Sequence, residues 1–181
     1  LKELHLQNLE TLEMLLCHDC TSLKTLRCQN LKNFKILKCY NCTNLEVLEL
    51  QDLESLEQII SYRCKNLTEV KMHNLKALKT LSYGGSKKIK QLDLRKFKML
   101  TIICCAYSTA LETLNVEGLK HLSRINCSTC PNLNDFSLQG LESLQTFNCA
   151  RSEKIKHLDL RACKDLRQIN CEICAGLETL I

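Results

Sequence analysis

The chain has 181 residues, 45% of them apolar and 25% charged, with a net charge of +5 at pH 7 and a single proline. That length suffices for one domain with a sizeable core, and the charge is too small for the footprint of a nucleic-acid-binding protein. No apolar run approaches the roughly 18 residues that a membrane-spanning helix needs, and no secretory leader opens the chain. It starts at Leu1 rather than Met and so reads as an excerpt of a longer protein.

Taken in chain order, the sequence falls into units that begin at Leu1, Leu23, Leu45, Leu67, Ile89, Leu111, Leu133 and Ile155. Eight units of 22 residues fill 176 positions, and LETLI from Leu177 opens a ninth, without an insertion or deletion. The first unit shows the pattern: Leu1, Leu4, Leu6 and Leu9, then Leu12, Leu15, Cys17 and Cys20. These are sites 1, 4, 6, 9, 12, 15, 17 and 20, and the second four repeat the first four after eleven residues. Of the 64 such sites in eight units, all but Ser61, Tyr83, Ser86, Ser108 and Ser152 hold an aliphatic residue, Met, Phe or Cys. The second unit keeps the pattern, the third departs from it at Ser61, the fourth interrupts it with Gly84-Gly85, and the sixth to eighth place Asn126, Asn148 and Asn170 at site 16. Gly84-Gly85 is expected to mark a local loosening.

An eleven-residue repeat suits either a right-handed helical coil or a β-solenoid. On a helix, sites 6 and 17 fall about 140–160° away from site 1, which would strand Leu6, Leu50, Leu94, Leu138 and Leu160. In a solenoid, Leu4-x-Leu6 and Leu15-x-Cys17 are short strands with alternate residues inward, and the three-residue steps turn the chain. Asn and Thr cluster at those turns, as in Asn41-Cys42-Thr43-Asn44, where such residues bond to nearby backbone. The expectation is a β-rich solenoid of eight coils, residues 1–181 as one domain, with parallel sheets stacked along the axis and little or no helix.

The segments LEMLLCHDCTSL (12–23), FKILKCYNCTNL (34–45), LSRINCSTCPNL (122–133) and LRQINCEICAGL (166–177) resemble the L-x-x-L-x-L-x-x-C-x-x-L segment of leucine-rich repeats. The resemblance covers the whole chain. Its flavour is similar to the arrays of plant resistance receptors, and the nested halves resemble some bacterial repeats. It departs from the family pattern in a second half-repeat of the same form, which leaves little room for a convex helix. The resemblance implies a protein-binding module whose conserved strand presents a concave recognition surface.

Fourteen cysteines need a separate account. Residues 17–42 read C-x2-C-x18-C-x2-C, a spacing that fits a structural zinc site made of Cys17, Cys20, Cys39 and Cys42. The same sites repeat along the chain, however: site 17 holds Cys39, Cys105, Cys127, Cys149 and Cys171, and site 20 holds Cys42, Cys64, Cys130 and Cys174. Eleven residues earlier the same sites are leucines in the first unit, so cysteine reads as a small buried hydrophobe stacked in the core. No cofactor is expected, and a zinc-stabilised array is the rival. Cysteines in phase with apolar sites argue against disulfides and for a reducing, intracellular (cytoplasmic) setting, with secretion left open by the excerpted ends.

The outward residues differ between the two strand faces. The first face is an ordinary solvated one, polar and charged by turns, as in His5, Arg27, Glu49, Lys71, Asn115 and Ser137. The second carries Met14, Ile36 and Ile102 at site 14, Leu16, Ile60 and Cys104 at site 16, and His18, Tyr40 and Tyr62 at site 18. Tyr107 lies at site 19, and Lys38, Gln58 and Arg63 interleave. Apolar and aromatic residues among polar ones suit a partner-binding patch, so these thirteen are the candidate contacts with a protein partner. A covering domain or helical layer is the alternative. The run Lys87, Lys88 and Lys90 with Lys65 and Lys154 reads as solvated charge. The five histidines lack convergent partners, so no catalysis is expected. Because neither end carries a polar cap, a scaffold that assembles end to end is a further alternative function.

Overall fold

The computed structural model describes residues 1–181 and, for Asp135, the backbone alone. Each coil contributes two short strands. The first face holds β1 (Glu3–Gln7), β3 (Thr25–Gln29), β5 (Val47–Gln51), β7 (Glu69–His73), β9 (Gln91–Asp93), β11 (Thr113–Asn115), β13 (Asp135–Phe136), β15 (His157–Leu158) and β17 (Thr179–Leu180). The second holds β2 (Met14–Leu16), β4 (Ile36–Lys38), β6 (Gln58–Ile60), β8 (Thr80–Ser82), β10 (Ile102–Cys104), β12 (Arg124–Asn126), β14 (Thr146–Asn148) and β16 (Gln168–Asn170). Among the described residues there is no helix. The chain is a parallel β-solenoid with a 22-residue period, as the spacing of its leucines implies.

All pairing is parallel and offset by one coil. On the second face Leu15, Leu37, Ile59 and Leu81 stand in one row, which Ile103, Ile125, Phe147 and Ile169 continue. Side-chain alternation turns this row inward, where it meets the inward row of the first face. Leu23, Leu45, Leu67 and Leu111 at site 1 are fully buried, as are Phe34 and Leu56 at site 12. The five departures from the apolar pattern, Ser61, Tyr83, Ser86, Ser108 and Ser152, are buried with them. Truncating a buried leucine to alanine at such sites costs about 2–5 kcal/mol.

The corners rest on left-handed residues. At site 8, Asn8, Asn30, Asp52 and Asn74 have φ of 53–57°, and Gly118 and Gly140 have φ of 69° and 73°. These residue types tolerate that region best. Site 19 adopts it as well, through Asp19, Asn41, Arg63, Gly85, Tyr107, Thr129, Arg151 and Ile173. Thr129 and Ile173 are β-branched and therefore strained there.

The two faces differ in continuity. The second face is one eight-stranded sheet, whereas the first divides into β1-β3-β5-β7, β9-β11-β13 and β15-β17. Both breaks precede a coil that reads Leu-Asp-Leu-Arg, at 92–95 and 158–161. In each, the Asp carboxylate turns back on its own backbone: the Arg95 N–H donates to Asp93 Oδ1 at 3.1 Å, and the Arg161 N–H to Asp159 Oδ1 at 3.0 Å. The arginine side chains close on the same carboxylates, which holds Asp93 and Asp159 at about 2, below the ordinary 3.8. Lys96 and Ala162 replace the left-handed residue of site 8 in these coils. Among the described residues no backbone hydrogen bond joins 68–74 to 89–96. An open cleft of about 530 Å³ lies between them, lined by Val70, Lys71, Lys90 and Gln91.

Gly84 corrects an expectation. The coils do not loosen at the glycine pair; they close up. A Cβ on Gly84 would lie 2.6 Å from the Ala106 carbonyl oxygen, and the Gly85 N–H donates to that oxygen at 2.7 Å. The loosening lies on the opposite face, between β7 and β9.

Candidate functional site

The second face sets its outward residues in two rows. Site 14 runs Met14, Ile36, Gln58, Thr80 and Ile102, and site 16 runs Leu16, Lys38, Ile60, Ser82 and Cys104. Met14 and Leu16 are exposed, at 42% and 53%. Ile36, Ile60, Ile102 and Cys104 point outward yet are half-buried, because the residues of the coils above and below flank each at about 4.8 Å strand spacing. The apolar residues are not one patch. Met14, Leu16 and Ile36 form one group, Ile102 and Cys104 another, and Lys38, Gln58, Thr80 and Ser82 separate them around a lone Ile60.

Beyond Cys104 the face changes character. The Oδ1 atoms of Asn126, Asn148 and Asn170 accept from the N–H groups of Ser128, Ala150 and Glu172 at 3.0–3.1 Å. Each asparagine thus caps its own corner at site 18. The corresponding N–H groups of Tyr62, Gly84 and Ala106 have no acceptor among the described residues.

A ring column stands beside the strands at site 18. His18 stacks on Tyr40 at 4.3 Å and an interplanar angle of 11°, and Tyr40 on Tyr62 at 5.3 Å and 23°. Offset ring pairs of this kind contribute about 0.5–1.5 kcal/mol beyond their buried area. The column stops at Tyr62, because the next two residues in register are Gly84 and Ala106. Where it stops there is an open groove of about 460 Å³. Tyr62, Arg63 and Tyr107 rim it, Gly84, Gly85 and Ala106 line it, and Ser82, Cys104 and Asn126 complete its walls. The Arg63 guanidinium lies 5.6 Å from the Tyr62 ring centroid, within cation–π range. Tyr107 is 65% exposed.

The structure thus gathers Tyr62, Arg63, Cys104 and Tyr107 around one concavity. Met14, Leu16 and Ile36 lie apart from it, in the first two coils. The groove itself was not anticipated from the sequence. Its signal was there, in a site that runs His, Tyr, Tyr and then Gly.

The thiols take a defined position. Cys42 Sγ donates to the Cys17 carbonyl at 3.0 Å, Cys64 Sγ to that of Cys39 at 3.1 Å, and Cys130 Sγ to that of Cys105 at 3.2 Å. Ser152 Oγ makes the equivalent bond to Cys127 at 2.9 Å. Site 20 is therefore a small donor that in these coils reaches the site-17 carbonyl of the coil before, whereas Ser86 Oγ donates to the Tyr83 carbonyl of its own coil at 2.9 Å. Ser108 Oγ, at the same site, is buried without a partner among the described residues. Burial pushes the Cys28 thiol up to about 12 and drives that of Cys127 well above its ordinary value. All fourteen cysteines are free. Among the described residues no group of three or more His, Cys, Asp or Glu side chains is arranged to hold a metal ion.

No protein-family model matches the chain, and no match to it is found among curated proteins. What its own residues establish is a parallel β-solenoid of about eight 22-residue coils, a fold consistent with a protein-interaction scaffold.

Proposed function

We propose that this chain is a non-enzymatic protein-recognition module of the leucine-rich-repeat kind, which binds a protein partner through the outward residues of its second strand face. The observation that carries the reading is the asymmetry between the faces. The first is polar and broken into three sheets. The second is one continuous eight-stranded sheet with exposed apolar and aromatic side chains, a ring column and a groove. A continuous sheet holds such side chains in fixed positions, and preorganised contacts cost less to form. The free and mostly buried thiols suit a reducing compartment.

The test is affinity capture from lysate with the wild-type chain beside an Ile36→Glu/Ile60→Glu/Ile102→Glu variant of unchanged circular dichroism. A partner lost only with the variant supports the reading. An unchanged set of partners overturns it, and capture of the chain by itself alone favours an assembly role through the end coils.

A further inference from the structure

Three features of coils three to five meet at one corner. The first is an interrupted ring series. His18, Tyr40 and Tyr62 repeat at the coil spacing with their rings stacked, and the next register position holds Gly84. Its missing side chain is enforced, since a Cβ there would collide with the Ala106 carbonyl oxygen at 2.6 Å. The groove beside the Tyr62 ring is therefore permanently free of a fourth ring from this chain. A planar group that enters it continues a column whose spacing and tilt are already set.

The second feature is charge. Arg63 rims the groove, Lys65, Lys87 and Lys88 follow in the same turns with Lys88 reaching the first-face cleft, and all four are exposed. Among the described residues none has a carboxylate within ion-pair distance, although Lys35, Lys76, Lys79 and Lys90 elsewhere do. Residues 62–66, 84–88 and 106–110 contain no Asp or Glu. The third is a set of backbone donors without an acceptor among the described residues. In coils six to eight an asparagine caps the site-18 N–H, whereas those of Tyr62, Gly84 and Ala106 lack any acceptor among the described residues. Unpaired donors and unpaired cations on one corner attract acceptor-rich, negative groups.

We propose that the groove at Gly84 binds an acidic segment of the partner protein through one aromatic side chain. This rests on the recognition reading above and specifies the partner's chemistry. The aromatic ring takes the fourth place in the column against Tyr62, with Tyr107 at its edge. Carboxylates on either side of it pair with Arg63 and the lysines of the corner.

The chain contains no tryptophan, so the indole emission of a peptide probe reports binding without background. The probe is a short capped peptide of alternating glutamate and serine with a central tryptophan. Its controls replace the tryptophan with leucine, followed by competition, or the glutamates with lysine. The expected result is saturable binding with a blue shift, about tenfold tighter than the leucine or lysine versions. Tyr62→Ala and Arg63→Glu should each weaken it about tenfold at unchanged circular dichroism, while Tyr62→Phe, which keeps the ring, should not. Equal affinity for the tryptophan and leucine peptides, wild-type binding by Tyr62→Ala, or no saturation by about 1 mM overturns the proposal. If the peptide fails while the Ile36, Ile60 and Ile102 variant still loses its captured partner, the groove assignment falls and the recognition face stands.

Discussion

At site 20 a residue is small, sits inside the corner and in most coils donates a hydrogen bond to the coil before, Ser86 turning instead to the Tyr83 carbonyl of its own coil. Cysteine meets all three demands, which explains why Cys42, Cys64 and Cys130 recur in phase with leucine sites. Reading them as small hydrophobes captured their burial; the carbonyl each thiol reaches lies 25 residues back and leaves no mark in a local motif. Ser108 is the member whose hydroxyl finds no partner among the described residues. A buried unpaired hydroxyl costs about 1–3 kcal/mol, so Ser108→Cys should raise stability by about 1 kcal/mol, read as a higher urea midpoint at an unchanged slope. A lower midpoint would show that the slot excludes sulfur. Thr129 has φ of 56°, and a β-branched residue in that region is strained where asparagine is not. Thr129→Asn should therefore stabilise by about 0.5–1 kcal/mol in thermal unfolding. The thiols also set a pH dependence. Burial raises the folded-state pKa of Cys28 from 9.0 to about 12, so the neutral thiol favours the folded chain. This contribution is complete below pH 9.0 and is lost as pH rises toward about 12, at about 1.4 kcal/mol per pH unit for each such thiol. Urea midpoints should be flat through neutrality and fall steeply in that alkaline window; equal midpoints on both sides of it would contradict the burial.

At the scale of the strand and its turn, most of the architecture was legible. The L-x-L steps identified both strands of every coil, and the position of Leu6 decided between helix and solenoid. The breaks in the first face were not legible, because they depend on one N–H choosing between two acceptors. In coils two to four that N–H lies within a five-residue strand, as in Thr25–Gln29. In coils five and eight Asp93 and Asp159 supply a nearer acceptor, and the strand shortens to Gln91–Asp93 or His157–Leu158. The tetrapeptide Leu-Asp-Leu-Arg thus accompanies both breaks between sheets, although β11 and β13 are as short without it. Asp93→Asn, which retains Oδ1 as an acceptor, should be nearly silent. Asp93→Ala should lose about 0.5–1.5 kcal/mol, the usual worth of one such bond. Equal losses for the two would assign the effect to the exposed Arg95 pair rather than to the turn. The glycine pair shows the same limit of local reading: a loosening expected from Gly84-Gly85 is a close approach, because the absence of a Cβ lets the Ala106 backbone in.

The molecule as a whole is a stack held along one face and segmented along the other. Its second sheet runs unbroken from β2 to β16, while the first is divided before β9 and before β15. A recognition surface benefits from the first property, since residues far apart in sequence keep fixed spacing, and the candidate contacts lie on that face. The contrast between faces is the claim on which the account rests, and residue-resolved amide hydrogen exchange by NMR tests it directly. On the second face, Thr101 and Ile102 donate to the Lys79 carbonyl at 2.8 and 3.1 Å across the coil boundary where the first face is open. On the first face, Glu112 and Thr113 donate to the Lys90 carbonyl at 2.7 and 3.1 Å, whereas Lys90 and Gln91, one coil earlier at the same sites, have no such acceptor among the described residues. Lys90 and Gln91 should exchange at least about tenfold faster than Glu112 and Thr113, while Thr101 and Ile102 match their equivalents Ser123 and Arg124. Equal protection at Lys90 and Glu112, or fast exchange at Thr101 and Ile102, would contradict the division of the two faces.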